Sequence, residues 1–287
     1  ENYFTIKENI VDFPLIYNNQ IINKNIIITG VCQNISEYIF NTIHKFLYLS
    51  IYFKNFKIII YENDSTDDTL SQLKKYERIN HINNINNIEI IILTENNIKG
   101  KLTQRVSYSR NYILNYIESK KLNPDYIISI DMDDILLDFK CNSILYPFFE
   151  KINWSMFGAN SYIYYDMWAL RTLKNPGKDF WVGKKKDNKY IMSKSDILKE
   201  YFIIDKDSDP IKVNSCFNGI GIYKYNHIKN CRYNGDKTCE HVNFHQEMIK
   251  KNKANLYIHP KLIVGPHKIL GKPMNYYKID KLVKNKL

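Results

Sequence analysis

Apolar positions in the first half of the chain fall into two patterns: short, nearly continuous runs, and longer stretches where they recur every three or four residues. Residues 25–32, Asn-Ile-Ile-Ile-Thr-Gly-Val-Cys, are a β-branched run closed by Gly30 and predict a strand. From about 36 to 53, Ile39, Phe40, Ile43, Phe46 and Leu47 lie at helical spacing, with Ser36 the expected N-cap. A second strand is expected over 56–61, a helix over 69–76, a third strand over 88–93 and a helix over 106–118. The Asn-rich stretch 80–87 is expected to be an inflated loop between helix and strand. Buried strands alternating with helices predict an α/β fold with a Rossmann-like open sheet, whose ligands gather at the carboxyl ends of its strands.

The run over 126–131 drives straight into Asp131, Asp133 and Asp134. Carboxylates at the mouth of a buried strand repel one another and lose solvation, so a divalent cation with oxygen ligands is their natural occupant. The plainer alternative is an acidic strand-to-loop turn on the surface.

Three motifs make the picture specific. Tyr61-Glu62-Asn63-Asp64-Ser65-Thr66-Asp67-Asp68-Thr69 resembles the "DDxSxDxT" segment of GT-A-fold glycosyltransferases, Ser107-Tyr108-Ser109-Arg110-Asn111 resembles their "xxARN" helix, and Asp131-Met132-Asp133 stands where their Asp-x-Asp belongs. Together with Tyr165-Asp166-Met167-Trp168-Ala169-Leu170-Arg171, they resemble the capsule-associated mannosyltransferases over about residues 25–270. The resemblance implies a single GT-A catalytic domain, with a nucleotide-sugar half at about 25–140 and an acceptor half at about 141–275. It implies a manganese or other divalent ion held by Asp131, Asp133 and His267. Glu62, Asn63 and Asp64 would hold the base and ribose, Arg105 and Arg110 the phosphates, and Lys272 the leaving diphosphate. Glu62 and Asn63 replace two aspartates of the commonest pattern, which changes the expected nucleotide contacts.

In the second half, Tyr162, Tyr164, Tyr165 and Trp168 surround Asp166, a mixture of flat rings and a carboxylate that suits a sugar. An ordinary strand with aromatics in the core is the alternative. Asp166 and Trp168 are therefore candidates for the donor or acceptor site. Residues 213–225 resemble an "SCFGGxxxY" segment, where Gly219 and Gly221 would allow close backbone approach to a sugar or mark a bulge. Glu240, by resemblance to the acidic residue that contacts the acceptor at this helix start, is the candidate base if the reaction inverts configuration and orients the acceptor if it retains it. His241 and His245, four apart on one helical face, are assigned to structure or acceptor contact.

Composition sets outer limits. The chain has 287 residues, 44% of them hydrophobic, enough for one large core. Its formal charge of +11 is scattered over Lys184–Lys186, Lys250–Lys251 and the tail, and no nucleic-acid-binding motif accompanies it. A solvated basic face is expected, with no nucleic-acid partner. No run approaches the roughly 18 apolar residues of a membrane span. An upstream segment is expected from the start at Glu1. Five cysteines without a Cys-x-x-Cys pair argue against zinc, and Cys231 and Cys239 either bridge a loop or stay as buried thiols.

The function expected is metal-dependent transfer of a sugar from a nucleotide-sugar, with UDP-glucose or another UDP-hexose first and GDP-mannose the alternative. Asn, Ile, Lys and Tyr crowd the sequence as in A/T-rich genomes, and large DNA viruses of that kind carry enzymes similar to collagen glycosyltransferases. That similarity implies galactosyl-hydroxylysine of a collagen-like protein as the acceptor. The competing class is a carbohydrate- or nucleotide-binding protein without catalysis on the same fold.

Overall fold

A computed structural model describes residues 23–83, 88–176, 179, 185–186, 189–190, 201–265, 268–269 and 272–273. The order begins β1 (Asn25–Cys32), α1 (Ser36–Leu49), β2 (Asn55–Asn63), α2 (Thr69–Asn83), β3 (Ile88–Glu95), α3 (Leu102–Ser119) and β4 (Tyr126–Asp131). It continues β5 (Met156–Ser161), β6 (Arg171–Thr172), β7 (Lys185–Lys186), β8 (Lys189–Tyr190), β9 (Ile211–Ser215), β10 (Ile220–Lys224), α4 (Glu240–Asn252), β11 (Leu256–Val264), β12 (Lys268–Ile269) and β13 (Lys272–Pro273). Among the described residues, nine strands form one sheet in the order β3-β2-β1-β4-β10-β5-β11-β9-β6. The four strands from β3 to β4 are parallel; β10 then inserts antiparallel to both β4 and β5.

Strand alternation splits the core in two. Ile26, Ile28, Ile58, Ile60, Ile128 and Ile130 pack towards α1 with Ile39, Ile43 and Phe46. Ile27, Ile59, Tyr61 and Ile127 pack the other way, with Ile113 and Ile117 of α3 and Phe244 and Met248 of α4. A sheet carrying helices on both faces must read as near-continuous apolar runs, as these strands do.

Several expected boundaries move. Helix α1 begins at Ser36, yet no side chain caps it from its own N-cap position, Ile35. The capping comes from the start of α2 and the loop before it: Ser36 N–H donates to Asp67 Oδ2 at 3.1 Å and Ile35 N–H to Thr69 Oγ1 at 2.8 Å. The expected loop at 80–87 is helical through Asn83, and 84–87 lie outside the described residues. Buried Asn80 accepts the Ile90 N–H at 3.0 Å, so it fastens α2 to β3. All five cysteines are free and buried, so Cys231 and Cys239 form no bridge.

Candidate functional site

At the carboxyl ends of β1 and β4 the sheet opens into a cleft of roughly 650 Å³. Asn63, Arg105, Arg110, Asp131, Asp133, Asp166, Trp168 and Glu240, all singled out from the sequence, line it. Ile127, Ser129 and Asp131 of β4 face α3 and α4, Met132 turns into the opposite core, and Asp133 lines the cleft. A Cβ at Gly30 would meet the Met132 sulfur at 2.3 Å, so the glycine makes the room that lets Met132 bury and its two acidic neighbours face the cleft.

Arg110 joins the halves of the cleft. Its Nη1 donates to Ser129 Oγ at 2.8 Å, its Nη2 to Asp131 Oδ1 at 3.0 Å and its Nε to Glu240 Oε1 at 3.3 Å. The side chain is 6% exposed and lies over the rings of Phe217 and Tyr233. Burial works against its charge, but Asp131 and Glu240 outweigh it and hold the guanidinium charged above its ordinary range. The fork expected on phosphate is thus committed to two protein carboxylates. Half-buried Arg105 donates through Nη1 to Gln33 Oε1 at 3.4 Å, its one side-chain hydrogen bond among the described residues, and is the better placed of the two for a phosphate.

The carboxylates outnumber that buried cation. Desolvation raises Asp131, with Arg110 pulling down and Asp166 pushing up. Its side chain remains 37% open to the cleft, so the enclosing walls supply that desolvation. Asp133, which meets cleft solvent, is pushed up to about 7 by desolvation and then by Asp131 and Asp134. Glu240 is raised by burial against the pull of Arg110. Asp166 is raised by burial too, though its oxygens accept the Asn218 N–H at 2.9 Å and the Ala169 N–H at 3.2 Å. These bonds make Asp166 a clasp between the 166–169 turn and residue 218.

Other expectations need correction. Glu62 is 1% exposed and does not line the cleft; its oxygens take the Ser65 N–H at 2.9 Å and the Thr94 hydroxyl at 3.1 Å. Asp64 likewise lies outside the lining. It accepts the Asn97 and Ile98 N–H groups, and the Asn63 amide together with the Asn97 N–H holds it below the usual carboxylate range. Of that trio only Asn63 reaches the cleft. His267 lies outside the described residues, as does the side chain of Lys272. Among the described residues no group of three or more His, Cys, Asp or Glu could hold a metal. Asp134 is buried in a 3-10 turn, Asp134–Leu136. Gly219, at φ +87°, accepts the Asp131 N–H at 2.9 Å through its carbonyl, and a Cβ there would meet Ile135 at 2.7 Å. Gly221 leaves space for the Tyr223 ring. Both glycines therefore admit protein groups.

Ser129 and Asn218 were missed. Ser129 sits two residues before Asp131 in a buried strand, hence on the same face, and that spacing was readable. Asn218, at φ +56°, holds Ser161 Oγ and the Asp166 N–H through contacts 52 or more residues distant, which no local pattern announces. Arg171 of the aromatic motif is buried and tied to Asp179 and Thr238, so it braces the approach to Glu240.

Residues 26–254 match the family model described as Cryptococcal mannosyltransferase 1. With most of its length matched, the chain belongs to this mannosyltransferase family. No curated protein sequence matches it. Among solved structures it is similar to the mannosyltransferase PcManGT from Pyrobaculum calidifontis in complex with GDP-Man and Mn2+, at 10% identity and TM-score 0.46, covering 87% of this chain and 59% of that one. S. aureus TarS 1-349 in complex with UDP matches at 14% identity and TM-score 0.47, covering 90% and 64%. GalNAc-T7 with UDP, GalNAc and Mn2+ matches at 12% identity and TM-score 0.46, covering 90% and 48%. The chain thus spans under two thirds of each of these proteins.

Proposed function

We propose that the protein transfers a sugar from a nucleotide-sugar to an acceptor hydroxyl, using Asp131 and Asp133 for a divalent cation and Glu240 as base. The observation that carries this reading is the pairing through Arg110 of an acidic strand end with a buried acid on the opposite wall of one cleft. The crowded, raised carboxylates Asp131 and Asp133 fit a cation, since positive charge there relieves repulsion that protons otherwise relieve. Such an ion, when bound, would offset negative charge on the diphosphate leaving group. His267 is a proposed third ligand and Lys272 a proposed diphosphate contact, both from sequence resemblance.

Arg105 and Asn63 orient the donor from the first half of the cleft. Trp168 offers a flat face to a sugar ring. Glu240 receives the acceptor proton on Oε2, the oxygen not held by Arg110, as the acceptor oxygen forms its bond to the anomeric carbon and the bond to the nucleoside diphosphate breaks. This assignment applies to inversion of configuration; under retention Glu240 orients the acceptor. Asp166 keeps the aromatic turn in place beside it. The finer form of the reading takes a UDP-hexose, with galactosyl-hydroxylysine of a collagen-like protein as the first acceptor to try. The family's description names a mannosyltransferase, which makes a mannose donor, GDP-mannose, the second to try.

A screen of UDP- and GDP-sugars with Mn2+ against simple glycosides and glycosylated hydroxylysine tests this. Activity should vanish in excess chelator and fall by orders of magnitude in Asp133→Asn. Glu240→Gln should keep donor affinity and lose at least about a hundredfold in transfer. A wild type that transfers from no donor, or full activity in either variant, overturns the assignment.

A further inference from the structure

His241 is the least explained polar group in the cleft. It is 3% exposed, lines the cleft, and among the described residues neither ring nitrogen has a hydrogen-bond partner. Its Nε2 lies 3.5 Å from Glu240 Oε1 without hydrogen-bond geometry. The ring stacks on Phe217 at 3.7 Å between centroids and meets Tyr233 edge-on at 5.6 Å.

One helical turn further on, His245 shows what a structural histidine looks like here. Its Nδ1 pairs with Ser215 Oγ at 2.9 Å and its Nε2 with Tyr223 Oη at 3.0 Å. Both are buried on the same helix, yet only His245 has its nitrogens satisfied. Burying an unpaired nitrogen costs its full desolvation, and stacking between Phe217 and Tyr233 requires only a flat ring. Packing therefore does not account for the imidazole. Burial, then Arg110 and His245, keep it far below its usual protonation range, so at neutral pH it presents one N–H donor and one lone pair.

We infer that His241 binds the acceptor, pairing with a sugar hydroxyl adjacent to the one that Glu240 deprotonates. Although consecutive helix residues point apart, His241 Nε2 lies 3.5 Å from the Glu240 carboxylate at the start of α4, so the atoms the two would bind are close together. Neighbouring hydroxyls on one ring meet that condition, and each both donates and accepts, as a neutral imidazole and a carboxylate require. The acceptor is then a saccharide with a vicinal diol at the site of transfer. This inference rests on the transferase reading.

His241→Phe keeps the stacked ring and removes both nitrogens. Its melting temperature should equal or exceed that of the wild type, because no partnered group is lost. Calorimetric affinity for UDP or GDP with Mn2+ should be unchanged. With the glycoside that accepts in the donor screen, KM for that acceptor should rise about tenfold or more, the scale of one lost hydrogen bond, with a smaller change in kcat. His241→Gln, which retains a donor and an acceptor, should recover part of the loss. A lower melting temperature in His241→Phe would make the nitrogens structural and overturn the inference, and so would an unchanged acceptor KM. A wild type inert towards every donor defeats the transferase reading and the inference with it, whereas an active wild type with an indifferent His241→Phe defeats the inference alone.

Discussion

Arg110 shows at the scale of one residue how a motif can be recognised while its role is not. The sequence places it in a helix resembling a known motif, and a guanidinium near a diphosphate suggests a phosphate contact. The structure gives its three donors to Ser129, Asp131 and Glu240. What a long side chain touches depends on partners 19 to 130 residues away, and periodicity carries no record of them. Asp131 and Asp133 stood out as carboxylates at the mouth of a buried strand, Asp166 through the rings around it and Glu240 through resemblance alone, and the fold brings all four to one cleft. Glu62 came from the motif resemblance, which carries no record that its oxygens take the Ser65 N–H and the Thr94 hydroxyl. Arg110→Met should leave Glu240 and Asp131 facing each other without a counter-charge. The expected loss is about 3 kcal/mol, the low end for a broken buried pair, because Asp131 is partly solvent-screened. Without the guanidinium both carboxyls rise further, so the native state resists their ionisation. The deficit should therefore widen between pH 4 and pH 8 in urea melts. A deficit that shrinks with rising pH would contradict the pairing.

At the scale of elements, the strands were the most legible part. β1, β2 and β4 sit within two residues of their expected bounds, since an apolar run buried on both faces has no other reading. Helix ends fared worse. α3 starts at Leu102, four residues before the expected start, and α2 runs through part of a stretch assigned to loop. Capping was borrowed from a distance: Asp67 accepts the Ser36 N–H of α1 with one oxygen and the Thr69 N–H of α2 with the other. Desolvation opposes its charge, but the bonds from Thr69 and Ser36 outweigh it and lower its protonation range. Asp67→Ala removes two helix caps at once. Because the carboxylate is exposed, the expected loss is about 1–2 kcal/mol, below two full caps at their strongest. Hydrogen exchange should report it at the first turns of both α1 and α2; fraying at only one would show that the shared cap does not operate.

At the scale of the whole molecule, the buried histidines set an acid limit. His245 is fully buried, bonded at both nitrogens, and lowered to about 3 by desolvation and then by Arg110. A folded value below the unfolded one means its stabilising contribution is complete above about pH 6.5 and declines as the pH falls towards 3. The wild type should then lose about 1.4 kcal/mol per pH unit from this group below 6.5. His245→Asn should be about 2 kcal/mol less stable at pH 7, with the gap closing by about pH 5. A gap independent of pH would show that His245 titrates in the folded protein as it does in the unfolded chain.

The sheet order has a consequence for synthesis on the ribosome. The parallel strands through β4 emerge first, but β4's outer neighbour, β10, pairs Ile220 with Ile130. Until residues 220–224 arrive, the nascent chain exposes a long apolar strand edge, the kind of template on which polypeptides misassemble. At ordinary elongation rates of about 5–20 residues per second, that interval lasts on the order of ten seconds. Ribosome-stalled chains ending near residue 205 should accordingly hold on to chaperones and be cut readily by protease, whereas chains long enough to free β10 from the exit tunnel should shed both properties. The cleft needs β10 and the following helix as well, so the acid cluster and its arginine meet only after that edge has closed.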